Sequence, residues 1–259
     1  MKLTGYLIFE VCRDCNLGDV HPRCPNRHPQ RYGTLPVDEP LSDDKIVSIA
    51  RAMYMEHGFR GRVGWHYYNE PLMAATRMFG LMERIKAEVP QASFVLWTNG
   101  TLLPEDENME LFRRFDEIRV TDYRLSATPV WHVAALVAVQ PKTRVHAWGL
   151  DDRLHAIGDQ VSYKPCHRMF TEFIIDYFGN VHLCCFDWQG FGSIGNVRAD
   201  SLPGLIQKWR EVRRQIGVPE MDADSPDVCL HCKMRSVGIT NFVPVAALAA
   251  RQYVRGETR

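Results

Sequence analysis

The eight cysteines fall into two groups. Cys12, Cys15 and Cys24 stand near the start; Cys166, Cys184, Cys185, Cys229 and Cys232 come far downstream. Thiolates are ligands for iron–sulfur clusters and for zinc, so two separated groups point to two metal centres. Three cysteines in one loop can hold three irons of a 4Fe–4S cluster and leave the fourth iron open to a small molecule. The same spacing suits zinc, and His21 and His28 add nitrogen donors, so the cysteines alone leave both readings open. Cys229-x2-Cys232, completed by Cys184 and Cys166, makes a second set of four, which by itself is equally a zinc ribbon. Cys185 is left over. It is either a small buried hydrophobe beside a ligand or a thiol able to donate a hydrogen atom, and strand alternation turns it to the face opposite Cys184.

The elements that must position these residues alternate. Tyr6–Val11 is an apolar run that reads as a buried strand. Ser42 caps a helix with Ile46, Ile49, Ala50, Met53 and Tyr54 at helical spacing, stopped by Gly58. Arg62–Tyr68, Ser93–Trp97, Ile118–Thr121 and Arg144–Trp148 read as further strands. Leu72–Glu88, Glu105–Phe115 and Val130–Val137 read as the helices between them. This is the pattern of βα units on a parallel sheet, five or six of them, hence a partial barrel. The pattern then changes. Phe173–Asp176 and Val181–Cys185 flank Phe178-Gly179-Asn180 as a β-hairpin. A helix over Leu202–Ile216 follows, with Trp209 and Val212 on its apolar face. We therefore expect an α/β chain with a partial (β/α)5-6 barrel at residues 1–160 and a small α+β metal domain at 161–259.

Composition narrows the function. Of 259 residues 46% are hydrophobic, enough for a sizeable core. Lys and Arg number 31, as do Asp and Glu, so no charge excess calls for nucleic acid or an acidic membrane as partner. No apolar run approaches the roughly 20 residues of a membrane span. The first residues lack the pattern of a signal peptide, and the expectation is a cytoplasmic protein with reduced thiols.

Three segments, each after a predicted strand, give the chain its likeness. Cys12-x2-Cys15-Asn16-Leu17 leads to Cys24-Pro25; Tyr67-Tyr68-Asn69-Glu70-Pro71 follows the second strand; Trp97-Thr98-Asn99-Gly100 ends the third. In this order they resemble the radical S-adenosylmethionine (SAM) superfamily, with its Cys-x3-Cys-x2-Cys, Gly-Gly-Glu-Pro-like and Thr-Asn-Gly segments. The cysteine spacing departs from the family's. Cys12, Cys15 and Cys24 are taken as ligands, with the Asn16–Arg23 excursion looping out and back, and His28 is the substitute if Cys12 is only a core thiol. The second half resembles the twitch form of the SPASM domain. It has Cys166, then Asp176 to Cys184, Ile194-Gly195-Asn196-Val197, a helix with Trp209, and the closing Cys229-x2-Cys232. The fuller SPASM form needs more cysteines than remain, so one auxiliary cluster is expected.

The resemblance implies two 4Fe–4S clusters, one binding SAM and one auxiliary, ligated by Cys166, Cys184, Cys229 and Cys232. It implies SAM held near Asn69 and Glu70 at its amino group and near Thr98 and Asn99 at its ribose. It also implies an electron donor such as flavodoxin or ferredoxin. Size and layout are most similar to the small twitch enzymes of sugars and aminocyclitols, such as deoxy-scyllo-inosamine dehydrogenase and neomycin epimerase. A hydroxylated substrate would draw on His66, Tyr68, Asp122, Tyr123, Asp152, Arg153, Asp187 and Trp188. Cys185 tilts the expectation to epimerisation over dehydrogenation. The alternatives are a peptide-modifying enzyme of the same superfamily and a non-catalytic zinc or electron-transfer protein.

Overall fold

The computed structural model describes residues 5–19, 21, 24–28, 39–104, 107–123, 136–140, 142–147, 172–190, 192–216, 227–232 and 242–243. The centre is a nine-stranded sheet. Six of its strands are parallel: β1 (Tyr6–Phe9), β2 (Arg62–Gly64), β3 (Phe94–Thr98), β4 (Glu117–Asp122), β5 (Thr143–Ala147) and β6 (Glu172–Ile175). They stand in the order β6-β1-β2-β3-β4-β5, so the first strand lies inside the sheet between β2 and β6. β7 (Asn180–His182) and β8 (Gly195–Asn196) extend one edge antiparallel, and β9 (Phe242–Val243) the other. The α/β reading is borne out; the sixth parallel strand, β6, is the segment expected only as the first strand of the later hairpin.

Alternation along the strands divides the interior in two. Leu7 and Phe9 of β1, Val63 of β2, and Phe94 and Leu96 of β3 face the helices. There they bury Ile46, Ile49, Ala50 and Met53 of α1 (Asp43–Met55) and Met78, Leu81, Met82 and Ile85 of α2 (Ala75–Glu88). Ile8 and Ile174 face the other way and pack with Tyr67, Tyr68 and Trp188, with Tyr6 and Cys185 against them. This second cluster lines the concave side of the sheet.

Local chemistry sets the element ends. Ser42 Oγ accepts the Lys45 N–H at the start of α1, and Asp43 and Asp44 sit in its positive first turn. At its end Gly58 takes φ 65°, as the sequence suggested. β2 stops at Gly64 rather than Tyr68, because the Asn69 side chain accepts the Tyr67 N–H and donates to the Trp65 carbonyl, diverting groups a ladder would use. α2 starts at Ala75 rather than Leu72: Pro71–Ala74 form a 3-10 turn, and Glu70 accepts the Leu72 N–H as its cap. The third predicted helix is a 3-10 run, Glu107–Arg114. Of the fourth, only a helical turn at 136–139 lies among the described residues.

The hairpin forms, turning at Gly179 with φ 91°, but its second strand is Asn180–His182 and stops short of the expected Val181–Cys185. Its first strand is also β6, hydrogen-bonded to β1, so the sheet runs from the parallel strands into the hairpin without a break. The expected boundary near residue 160 lies outside the described residues. In α3 (Leu202–Ile216) Trp209 is buried against Phe173, and its Nε1–H donates to the Glu172 carbonyl. No helix among the described residues is long and apolar enough to cross a membrane.

Candidate functional site

The carboxyl ends of β1, β2, β3 and β6 meet on one side of the sheet. Glu10, 2% exposed, directly follows β1. Its two oxygens accept the N–H groups of Tyr68, after β2, and Tyr177, after β6, both at 3.2 Å. Arg77 of α2 reaches the next residue: Nη1 donates to the Val11 carbonyl (2.6 Å), Nη2 to the Leu41 carbonyl (2.7 Å) and Nε to Asp43 (2.8 Å). The chain therefore reaches Cys12, three residues past β1, along a path fixed from two sides.

The described part of the cysteine loop is held by short-range bonds. Tight turns bond Gly18 N–H to the Cys15 carbonyl and Cys24 N–H to the His21 carbonyl. Asn26 then donates from one amide to both the Arg13 carbonyl (3.1 Å) and the Tyr68 carbonyl (2.8 Å), returning the Cys24 end to the site. The Cys12 thiol donates to the Glu70 carbonyl (3.5 Å) and accepts from Asn69 Nδ2 (3.4 Å). Burial raises its pKa, opposed first by the Asn69 hydrogen bond.

Asn69, Glu70, Thr98 and Asn99 come together, all buried. Glu70 Oε1 accepts from the Thr98 hydroxyl (2.7 Å) and from Leu72 N–H (3.1 Å), and Oε2 from Asn99 N–H (2.8 Å). Burial pushes this carboxyl up to about 7 against the pull of those donors, Asn99 first. The Asn99 amide donates to Asn16 (2.9 Å) and to the Cys15 sulfur (3.9 Å), and its oxygen accepts from Thr101. These four side chains thus bond the ends of β2 and β3 to each other and to the cysteine loop.

The second cysteine group sits beyond the hairpin. Cys184 and Cys229 pack in the helix-side core, while Cys185 packs against the concave-side cluster of Ile8, Tyr67, Tyr68, Ile174 and Trp188. Adjacent cysteines thus face opposite clusters, but β7 ends at His182 and both lie in the turn after it, so the strand alternation expected for them does not set this. Burial, then the closeness of Cys185 and Cys229, raises the Cys184 thiol well above its ordinary value. Cys232 N–H donates to the Cys229 carbonyl (3.3 Å), and Cys166 lies outside the described residues. No disulfide joins any of the seven described cysteines to another. Among the described residues no three His, Cys, Asp or Glu side chains already converge at metal-binding range. The fit to a cluster is one of donor type: thiols that are half-buried, or in Cys229 buried, grouped at two places in the chain.

Of the cavity candidates, His66 lies against Trp97 (ring centroids 4.4 Å), Tyr123 against His21 (4.2 Å) and Trp188 against His28 (4.4 Å). Asp187 is buried and its carboxylate accepts Gly192 N–H. Asp152, Arg153 and the side chain of Asp122 lie outside the described residues. Sequence reasoning missed Arg119. Its Nε donates to Glu117 (2.8 Å) and its Nη2 to the Tyr6 hydroxyl (2.7 Å), and its guanidinium lies 4.7 Å from the centre of the Trp97 ring. The usable signal was alternation within EIRV, which turns Glu117 and Arg119 to one face. Glu10 was also legible, as the one acid ending an apolar strand; Arg77 and Asn26 carried no signal.

Residues 166–233 match the SPASM family, an iron–sulfur cluster-binding domain. The match spans all five C-terminal cysteines. The chain is similar in fold to BtrN in complex with AdoMet and 2-DOIA, with 20% identity and a TM-score of 0.65, covering 84% of this chain and 89% of that one. It is also similar to anSMEcpe with bound AdoMet and Kp18Cys peptide, with 12% identity and a TM-score of 0.57, covering 96% of each chain. No curated protein matches the sequence. The SPASM likeness expected for the second half is thereby borne out, and the fold of the chain as a whole is similar to that of these two structures.

Proposed function

Taking the chain as a radical SAM protein with a SPASM-type domain, we propose that it abstracts hydrogen from a carbinol carbon of a small sugar or aminocyclitol. Epimerisation is the favoured outcome and dehydrogenation the near alternative. We place the division between the two units near residue 160. Cys12, Cys15 and Cys24 would hold the SAM-binding cluster, and Cys166, Cys184, Cys229 and Cys232 the auxiliary one. When bound, the reduced cluster and SAM would supply a 5′-deoxyadenosyl radical. The chain's own residues do the rest. Glu70 and Asn99 hold the β2 and β3 ends together around the SAM segment, and Asn69 orients the Cys12 sulfur. The aromatic concave face of Tyr67, Tyr68, Trp97 and Trp188 keeps water from the reacting centre.

The observation that carries the epimerase reading is the placement of Cys185 among Ile8, Tyr68, Ile174 and Trp188. A thiol on that face can give a hydrogen atom to a substrate carbon radical; the thiyl left behind would take one electron, supplied by the external electron donor, and a proton from solvent. The small-substrate reading is supported by the likeness to BtrN, which binds 2-DOIA. The likeness to anSMEcpe with its peptide supports peptide modification as the second reading. Turnover in deuterated water separates the outcomes: solvent deuterium at one inverted carbon is expected, and a ketone without inversion would sink epimerisation. Metal content tests the whole reading. About eight irons per chain after anaerobic reconstitution, with SAM cleavage, is expected; zinc alone would refute it.

A further inference from the structure

We propose that Tyr67 and Tyr68 are positioning residues that join the two cysteine sites, locking the Cys184–Asp187 turn onto the segment that carries Asn69 and Glu70. The part of this concerning bound clusters rests on the two-cluster reading above.

The two tyrosines follow β2 and are 4% and 3% exposed. The Tyr68 hydroxyl donates to the Cys185 carbonyl at 2.6 Å. The Tyr67 hydroxyl donates to the Asp187 carbonyl at 3.2 Å and, more weakly, to the Cys184 carbonyl at 3.5 Å. Their rings lie 4.1 Å apart, and Tyr67 packs 4.8 Å from His182, on the strand that leads into Cys184. Burial raises the Tyr67 hydroxyl well above its ordinary value, so it stays a neutral donor.

The next two residues grip the other site. Asn69 donates to the Cys12 sulfur, Glu70 N–H to the Asp14 carbonyl (2.9 Å), and the Glu70 carbonyl accepts from Cys12. Glu10 pins the Tyr68 N–H between them. Of four consecutive residues, the first two thus bond to one cysteine region and the next two to the other, through side-chain bonds that are buried or half-buried. A buried tyrosine hydroxyl is normally placed to satisfy a specific acceptor. Here all three acceptors, the carbonyls of Cys184, Cys185 and Asp187, belong to one turn.

The test is Tyr67→Phe, Tyr68→Phe and the double variant. Each keeps the ring and removes only the donor. Tyr54→Phe is the control, since its hydroxyl serves Gly61 at the opposite end of β2. In the metal-free protein, hydrogen exchange at the Phe186 and Asp187 amides should accelerate roughly tenfold in the double variant, the size of one or two lost hydrogen bonds, and not in Tyr54→Phe. In the reconstituted enzyme, adding SAM should perturb the auxiliary cluster's EPR signal in the wild type. The double variant should lose that perturbation while binding SAM within about threefold of wild type. Unchanged exchange in the double variant overturns the positioning role, whether or not the protein proves to hold iron. A SAM-induced change that persists without both hydroxyls, or is absent in SAM-bound wild type, overturns the coupling. Failure of the two-cluster reading shows separately, as wild type without iron.

Discussion

Asn69 Nδ2 stands 3.4 Å from Cys12 Sγ and donates to it, while its own oxygen is held by the Tyr67 N–H. The amide is thus oriented before any metal arrives. A hydrogen bond to a ligand sulfur stabilises the more negative, reduced cluster and is one of the levers on its potential. Asn69→Ala is therefore expected to shift the SAM-free cluster to a more negative potential in an EPR-monitored redox titration. A residue that served only SAM would change SAM affinity and leave that potential where it was.

Glu70 gives the site a pH dependence. Its carboxyl rises from 4.5 to about 7 on folding. The unfolded chain then loses its proton first. The stabilisation is full below pH 4.5 and is lost as pH rises through about 7, by ~3 kcal/mol in all. Glu70→Gln does not titrate, so urea unfolding at pH 5 to 8 should show a flatter pH slope. The variant should also be ~1–3 kcal/mol less stable at pH 5, because its amide must turn a donor toward the Thr98, Asn99 or Leu72 donors. Equal slopes would show that Glu70 titrates normally.

Arg77 ties three separate pieces of backbone and side chain, among them the carbonyl just before Cys12. Arg77→Ala is expected to cost about 3 kcal/mol, from hydrogen bonds of a charged donor to Val11, Leu41 and Asp43. Iron uptake at the first site should fall more than at the second. Arg77→Lys, a point charge lacking the planar fork, should recover only part of the loss. A cost below 1 kcal/mol in denaturant unfolding would show that solvent replaces these bonds.

Much of this was legible in the sequence, for identifiable reasons. Apolar runs ending in Cys12, Asn69-Glu70 and Thr98-Asn99 marked the strands and the loops after them, because periodicity and breakers are local signals. The opposite surroundings of Cys184 and Cys185 matched the expectation for the wrong reason, since both lie in the turn beyond β7 and not in a strand. What was not legible depends on where side chains from distant segments land. Asn69 reads as a helix cap or a cofactor ligand until its amide is seen closing a turn that ends β2 early. Tyr67 and Tyr68 read as two aromatic residues until their hydroxyls are seen meeting carbonyls more than a hundred residues away. Arg77 looks like any exposed helix arginine until the Val11 carbonyl is found beneath it.

Cys184 and Cys185 offer the sharpest separation of roles, since one bond of backbone divides two environments. Cys184 packs with the helix-side core, its thiol raised by burial and by neighbouring Cys185 and Cys229. A metal there must displace a firmly held proton, so uptake at that site should quicken with rising pH. Cys184→Ala is expected to lose about four of the irons, the complement of one cluster. Cys185→Ala removes one small group from the concave face and should cost about 1 kcal/mol. It should keep its iron and still cleave SAM, yet fail to fix solvent deuterium in product. If Cys185→Ala instead loses iron while Cys184→Ala retains it, the two assignments are reversed, and the thiol on the concave face is the ligand.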